Sequence, residues 1–439
     1  MKKVTLITFG CAKNLVDSEV MAGCLHAAGY ATIAEAAKAD IIILNTCGFI
    51  GPAKDEAEAA IQNVLRLKKK VRNKKIIVMG CYVERYGPLL KAAYPDVDAW
   101  AGVKDFDQIV KIIEGRSYSG SGRTFLYGHE TPRAISTPAS WAYVKISEGC
   151  SHQCSFCAIP LIKGAYRSRP ISSIVKEVRR LAAGGVKEIN LISQDTTYFG
   201  RDREKPGDLV GLLEKLVRIH GIEWIRLLYG YPEEITDALI EIMGEPKICP
   251  YFDIPFQHSD PAIIQRMRRA MDGNRALKLL DKIRNRLPEA SFRTSVIVGF
   301  PGEGRKEFAR LQSFVRAARF DHLGVFTYSK EDGTSVCRLG DSVAESTKKS
   351  RRDRILEIQA GISAEKLKTF VGRNIDVLIE GIWKNDRRFL IGRSRFQAPE
   401  VDGIVLVKPP TGQKWDGGPI QKVEILSSEV YDLFGKALG

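Results

Sequence analysis

Trp141-Ala-Tyr-Val-Lys-Ile-Ser-Glu-Gly-Cys150-Ser-His-Gln-Cys154-Ser-Phe-Cys157 joins an apolar, strand-like run to a loop that carries three cysteines in CxxxCxxC spacing. Three thiolates on one tight loop suit three irons of a [4Fe-4S] cluster and leave the fourth iron open to a small ligand. The competing reading is a structural zinc site. Tetrahedral zinc takes four ligands, however, and His152, squeezed between two of the cysteines, is a poor fourth. Strand-like runs recur at Lys187–Ile192, Trp224–Leu228, Tyr251–Ile254, Arg293–Val298 and His322–Thr327, after a first at Tyr143–Ile146. Helical stretches at Ile171–Ala183, Leu209–His220, Pro261–Arg286 and Arg305–Ala318 lie between them. Six such βα units predict a partial TIM barrel, (βα)6, whose active groups gather at the carboxyl ends of the strands, where the cysteine loop falls.

Upstream, Val4–Phe9, Asp40–Thr46 and Lys75–Met79 read as strands, with helices at Val16–Ala28 and Ala53–Val71. This βαβ alternation predicts a flavodoxin-like α/β unit with a parallel sheet. Cys11, Cys47 and Cys81 each stand at the carboxyl end of one of those strands, so the topology brings all three to one crevice. Adjacent Gly10, Gly48 and Gly80 allow close backbone approach or positive φ. Any one of these cysteines alone reads as a buried free thiol, whereas the trio reads as a second iron–sulfur site. Cys24, Cys249 and Cys337 read as structural. Downstream, a basic helical stretch at Ser346–Phe370 precedes short strands at Ile375–Ile379, Arg388–Gly392, Gly403–Val407 and Ile420–Ile425, which predict a small all-β barrel. The expected division is 1–115, a Ser/Gly/Thr/Pro-rich linker at 116–140, 141–369 and 370–439.

Composition narrows the function classes. The 439 residues are 44% hydrophobic and 27% charged, which excludes a disordered or low-complexity chain. Nine cysteines, an odd and unevenly spaced set, favour metal or redox chemistry over a disulfide framework. The longest apolar runs, such as Ile41–Leu44, are far too short to cross a bilayer, and the N-terminus lacks a signal-peptide core, so a cytoplasmic protein with no membrane partner is expected. The net charge of +15 favours an anionic or nucleoprotein partner. Residues 370–439 nonetheless hold 10 basic and 9 acidic side chains. That balance suits docking onto a basic protein, with Asp376, Glu380, Glu400 and Asp402 offered to its cations.

The CxxxCxxC loop, with aromatic Phe156 before its last cysteine, resembles the radical S-adenosylmethionine superfamily. There the open iron binds the amino and carboxylate groups of S-adenosylmethionine, and an electron from the cluster cleaves the sulfonium to a 5′-deoxyadenosyl radical. The resemblance implies that Phe156 lies near the adenine; an ordinary core aromatic is the alternative. Two three-cysteine sites followed by a β-barrel resemble the methylthiotransferase family of that superfamily over the whole chain, with a TRAM domain at the end. The resemblance implies two [4Fe-4S] clusters, an auxiliary one that carries the sulfur and one that cleaves S-adenosylmethionine. It also implies transfer of CH3–S onto an unactivated C–H bond, and an external electron donor. Gly10-Cys-Ala-Lys-Asn-Leu-Val-Asp-Ser-Glu19, Tyr251-Phe-Asp-Ile-Pro-Phe-Gln-His258, Phe326-Thr-Tyr-Ser-Lys-Glu-Asp-Gly-Thr334 and Arg395-Phe-Gln-Ala-Pro-Glu-Val-Asp402 resemble one branch most. That branch modifies the β-carbon of an aspartate in the twelfth protein of the small ribosomal subunit, free or in the particle. Ala12 departs from the proline common in the family, beside Cys11. The rival in the family is a transfer-RNA adenosine methylthiotransferase; outside it, an iron–sulfur electron carrier or a zinc RNA-binding protein.

Further residues are ambivalent. Gly299-Phe-Pro-Gly-Glu303 reads as a backbone cradle for the cofactor or as a tight βα turn. Gln194 and Asp195 end the second barrel strand, as cofactor or substrate contacts or as exposed caps. Arg293 reads chiefly as a surface ion pair, and His258 as a secondary site candidate. The basic runs Lys68–Arg72 and Lys348–Arg354 read as solvated helix faces, although a ribosomal RNA contact would use them.

Overall fold

In a computed structural model, residues 1–71, 73–118, 122–203, 208–410 and 419–438 are described. The N-terminal part alternates β1 (Lys3–Thr8), α1 (Ala12–Ala27), β2 (Ala31–Thr32), β3 (Ile41–Thr46), α2 (Gly51–Lys70), β4 (Lys75–Gly80), α3 (Cys81–Ala93), β5 (Ala99–Ala101) and α4 (Ile109–Glu114). Its sheet is wholly parallel in the order β2-β1-β3-β4-β5, the flavodoxin-like order. Ile41–Leu44 and Ile76–Met79 are buried on both faces, as parallel strands covered by helices on either side require. α1 begins four residues before the expected start, so that Cys11 stands at its N-cap.

The middle part continues with β6 (Trp141–Lys145), β7 (Ser147–Glu148), α5 (Ile159–Lys163), β8 (Arg167–Ser168), α6 (Ile171–Ala183), β9 (Glu188–Ile192), α7 (Leu209–Val217), β10 (Trp224–Leu227), α8 (Asp237–Ile242), β11 (Tyr251–Asp253), α9 (Pro261–Arg266), α10 (Gly273–Arg286), β12 (Ser291–Val298), α11 (Arg305–Ala318), β13 (His322–Thr327) and α12 (Glu345–Lys368). Two parallel trios, β10-β9-β6 and β11-β12-β13, meet where Ile225 N donates to Lys247 O at 2.8 Å and Cys249 N to Ile225 O at 2.9 Å. The result is the open six-stranded barrel expected, lined by an apolar core that includes Val144, Leu191, Ile225, Phe252, Val296 and Val298.

The single helix expected over Pro261–Arg286 is two. Asp260 caps α9 through the amides of Ala262 and Ile263, Asp272 caps α10 through that of Arg275, and Arg268 turns the chain between them at φ 55°. The expected linker is also no free tether. Arg133, fully buried, bonds Glu19 of α1 at 2.6 Å and Glu177 of α6 at 2.7 Å, and Ser136 N donates to Glu19 at 2.7 Å.

The last strands, β14 (Asn374–Ile382), β15 (Leu390–Ser394), β16 (Val405–Lys408), β17 (Ile420–Ser428) and β18 (Leu433–Ala437), close a barrel in the order β14-β15-β16-β18-β17. β18, absent from the sequence expectation, closes it by pairing parallel to β16 and antiparallel to β17. Of the acidic side chains expected to face a partner, Glu380 and Asp402 are turned inward, whereas Asp376 and Glu400 stay at the surface. The Asp402 side chain is enclosed, accepts from the Tyr251 hydroxyl at 2.6 Å and pairs with Arg293 at 2.5 Å. Glu400 accepts from the Tyr143 hydroxyl at 2.9 Å, Glu380 pairs with Arg393 at 2.6 Å and Asp376 with Lys422 at 3.0 Å. Arg293 therefore makes a largely buried pair between barrel and tail, not a surface pair. Arg393 also reaches Glu188 at 2.6 Å, which in turn holds Arg226 at 2.8 Å. These pairs dock the small barrel on the large one.

Candidate functional site

β1, β3 and β4 are adjacent and in register, Leu6 beside Ile43 and Ile43 beside Ile77, so their carboxyl ends finish together. Cys11, Cys47 and Cys81 follow those ends. Gly10 (φ 92°) lies so close to Cys47 that a Cβ there would stand 2.7 Å from the Cys47 Cβ and 3.0 Å from its Sγ. Gly80 (φ 103°) has no room either, with Asn45 Oδ1 2.5 Å from where a Cβ would be. Asn14 ties the three loops together. Its Nδ2 donates to Phe9 O at 3.0 Å and to Thr46 O at 3.4 Å, and its Oδ1 lies 3.6 Å from Cys81 Sγ. Cys11 is exposed, Cys47 half-buried and Cys81 buried. Burial, with the neighbouring cysteines adding to it, pushes the Cys47 thiol up to about 11 and that of Cys81 to about 12.

The second trio sits at the carboxyl end of β6. Cys150 N donates to Gly164 O at 3.1 Å, and Cys157 N closes a turn on Cys154 O at 3.2 Å. Ser155 pins the loop tip: its N donates to Met267 O at 3.0 Å, its Oγ to Arg266 O at 2.7 Å, and its O accepts from Val336 N at 3.0 Å. The break between α9 and α10 supplies those carbonyls and also sends Arg269 back over the loop, with Nη1 3.8 Å from Cys154 Sγ. Arg269 lies 4.0 Å over the Tyr231 ring, whose centre stacks 3.7 Å from that of His152. His152 Nε2 bonds Asp195 Oδ2 at 2.5 Å, so this ring is engaged away from the thiols. Burial pushes Cys150 up to about 11 and Cys157 to about 12.

Soft thiol donors, three per loop cluster and all free of disulfides, match iron–sulfur ligation. Among the described residues no three Cys, His, Asp or Glu side chains converge as ligands of a single ion; a cluster, whose irons each take one thiolate, needs no such convergence. A nearly closed ion network joins α1 of the first domain to β6, β7 and α5 of the second. Lys145 binds Asp17 and, at 2.6 Å, Glu148; Lys163 stands 3.2 Å from Asp17 and 3.6 Å from Glu148; all four are at most 2% exposed. Lys145 and Lys163 hold Glu148 down at about 2 against the opposing effect of its burial.

Other expected site residues fall as follows. Gln194 donates to Glu148 at 2.5 Å, and its buried Oε1 has no partner among the described residues. Asp195 caps the turn at Thr197 and Tyr198 besides holding His152. Phe156 packs with Ile263, Met267, Phe300, Tyr328 and Val336 beside the cysteine loop. Gly299 N donates to Glu303 at 2.8 Å within its own turn. His258 is fully buried behind that turn, 3.5 Å from Glu303. Cys24 lies half-buried in α1, Cys249 is buried, and Cys337 is half-buried in a short turn of helix. The basic runs are not simply solvated. Lys348 is wholly buried, bonding Asp341 and Glu345 at 2.5 Å each, and Arg351 holds Glu303 at 2.8 Å. Lys68 pairs with Asp98 at 2.6 Å; Arg72 lies outside the described residues. Asn14, Arg269 and Tyr231 leave no sequence signal of their own, because each acts on a cysteine loop through tertiary placement.

Residues 3–102 match an uncharacterized protein family, UPF0004; residues 144–315 match the radical SAM superfamily; residues 371–438 match the TRAM domain. Two curated relatives carry the name ribosomal protein uS12 methylthiotransferase RimO. That of Aquifex aeolicus is 44% identical over 435 residues, covering 99% of this chain and 97% of its own. That of Syntrophotalea carbinolica is 43% identical over 442 residues, covering 99% and 96%. Among solved structures, the radical S-adenosylmethionine methyltransferase TsrM from Kitasatospora setae superposes with a TM-score of 0.54 over 74% of this chain and 73% of its own. At 14% identity that likeness concerns the fold alone. No helix among the described residues is long and apolar enough to cross a membrane.

Proposed function

We propose that this chain, which belongs to the RimO family of ribosomal protein uS12 methylthiotransferases, transfers a CH3–S group to the β-carbon of an aspartate in uS12. An iron–sulfur cluster and S-adenosylmethionine are its cofactors. The observation that carries the reading is the pair of cysteine trios, one at the end of a parallel sheet and one at the mouth of a partial barrel, on domains joined by a buried ion network. Cys150, Cys154 and Cys157 would hold one [4Fe-4S] cluster, and Cys11, Cys47 and Cys81 a second. When bound, the cofactors supply the radical, the methyl group and the sulfur; the protein's part is placement.

Ser155 and the α9–α10 break fix the Cys150 loop, while Arg269 brings a positive charge to its thiols. Asn14 fixes the Cys11, Cys47 and Cys81 loops against one another. Gln194, whose Oε1 has no partner among the described residues, and Phe156, packed beside the cysteine loop, would contact S-adenosylmethionine. The Gly299 amide is committed to Glu303, so that turn would contribute shape before hydrogen bonds. Residues 1–115, 141–369 and 370–439 then serve as sulfur-bearing, radical and docking units. The reading includes an external one-electron donor, and the exposed cations of α12, Lys349 and Arg354 among them, offer a contact to ribosomal RNA.

The anaerobically reconstituted enzyme, given reductant and S-adenosylmethionine, should be offered purified uS12 and an isopentenyl-adenosine transfer RNA in parallel. Mass spectrometry is expected to find CH3–S in place of one hydrogen on the protein only. Its appearance on the RNA alone would sink the substrate reading while leaving the radical chemistry in place.

A further inference from the structure

Lys13 is 8% exposed, and it makes no ion pair with any carboxylate among the described residues. Its ammonium sits 3.2 Å from the centre of the Tyr229 ring. Asp253 is near enough to act on it but makes no ion pair with it, and is held instead by Tyr229 N at 2.9 Å; a buried cation whose contact is an aromatic face is costly unless a closer counter-charge arrives. The neighbouring buried cations differ in this respect: Lys145 and Lys163 share Asp17 and Glu148, and Arg133 holds two glutamates.

Its place is equally unusual. Lys13 is two residues from Cys11, in the first turn of α1. Tyr229 belongs to the other side of the seam, just after β10, at the carboxyl end of the barrel. It adopts φ 64°, a left-handed backbone that a bulky residue takes only when its surroundings impose it. Two bonds hold it there: Tyr229 N donates to Asp253 Oδ2 at 2.9 Å, and its carbonyl accepts from Thr196 N at 2.9 Å. Thr196 follows Asp195, the residue that holds His152 inside the CxxxCxxC loop. Tyr229 thus spans from the radical loop to the ammonium beside Cys11, with strained backbone at the join.

We infer that Lys13 is the seat for the side-chain carboxylate of the substrate aspartate, which it would hold between the two cysteine trios. This rests on the proposed function and adds the residue that selects its substrate. A carboxylate at contact distance is what the ammonium lacks, Asp253 being engaged by Tyr229 N, and a carboxylate placed there would set the adjacent β-carbon within the seam between the two domains. A neutral side chain of the same shape, asparagine, leaves the ammonium unpaired, so the site discriminates by charge. A hydrogen bond between buried charged groups is worth about ten- to a hundredfold in binding.

The test uses the reconstituted enzyme without reductant, so that nothing turns over. Fluorescence anisotropy follows a labelled uS12 loop peptide carrying the target aspartate, and its Asp→Asn counterpart. Wild type is expected to bind the Asp peptide about ten- to a hundredfold more tightly than the Asn peptide. Lys13→Met, with iron content and melting temperature checked, should bring the two peptides level by weakening the Asp peptide alone, and Lys13→Arg should restore part of the gap. A preference that survives Lys13→Met overturns the assignment, the more so if the auxiliary cluster's reduction potential has moved, since Lys13 would then serve the cluster. Wild type that binds both peptides alike yet methylthiolates the Asp peptide on adding reductant overturns the Lys13 assignment alone. Transfer to RNA only overturns both the assignment and the substrate reading beneath it.

Discussion

Replacing Cys150, Cys154 and Cys157 together by Ala is expected to abolish cleavage of S-adenosylmethionine while leaving about four irons and the absorption of the other cluster. The reason is spatial. These three cysteines lie on one loop at the end of β6, pinned by Ser155 to the α9–α10 break, whereas Cys11, Cys47 and Cys81 belong to a separate sheet and are tied to one another through Asn14. Among the described residues, neither loop set donates a hydrogen bond to the other. The reciprocal replacement of Cys11, Cys47 and Cys81 should also leave about four irons and keep reductive cleavage, but end transfer of sulfur. Iron analysis and quantitation of 5′-deoxyadenosine read both variants. Loss of all iron from either folded variant would contradict two independent sites, and product from the second would make its trio structural.

Asp17→Asn should be the most damaging single change outside the cysteines. It keeps the shape of the side chain but leaves Lys145 and Lys163, each at most 2% exposed, to share Glu148 alone. Removing one partner from a buried ion network costs about 3–5 kcal/mol. In a chain of this size that is about three to five degrees of melting temperature. Asp17 comes from α1, Lys145 and Glu148 from β6 and β7, and Lys163 from α5, so the loss falls on the seam between the two domains. Differential scanning calorimetry checks it. Adding Lys163→Met restores the charge balance and should recover part of the loss; an unchanged melting temperature in Asp17→Asn would mean that the network carries little of the seam.

The elements most legible in the sequence are those whose ends coincide with chemistry. α6 and α11 occupy the expected residues, as does β13, because apolar periodicity and flanking turn residues agree there. The convergence of Cys11, Cys47 and Cys81 followed from a single rule of parallel sheets, and the register of β1, β3 and β4 obeys it. The α9–α10 break was also written in the sequence, as Asp260-Pro261 and Asp272-Gly273, two N-cap signals twelve residues apart. Helix-favouring residues on both sides of Asp272-Gly273-Asn274 concealed it, and with it the approach of Arg269 to Cys154. β18 is short and carries a central glycine, so its strand signal is weak until β16 and β17 frame it. The acidic residues of the tail failed differently. Composition counts charges but not directions, and Glu380 and Asp402 are drawn inward by Arg393, Tyr251 and Arg293. Lys13 carries no signal of its own in the sequence, because only the fold shows that it forms no ion pair with a carboxylate among the described residues.

The most direct measurement is the intact mass of uS12 taken from ribosomes of cells deleted for this gene, beside the same cells carrying it on a plasmid. The account predicts that uS12 from the deleted cells lacks one CH3–S group, that the wild-type gene restores it on the aspartate, and that a gene carrying Cys150→Ala does not. Fully methylthiolated uS12 in the deleted cells, or its restoration by the Cys150→Ala gene, would contradict it.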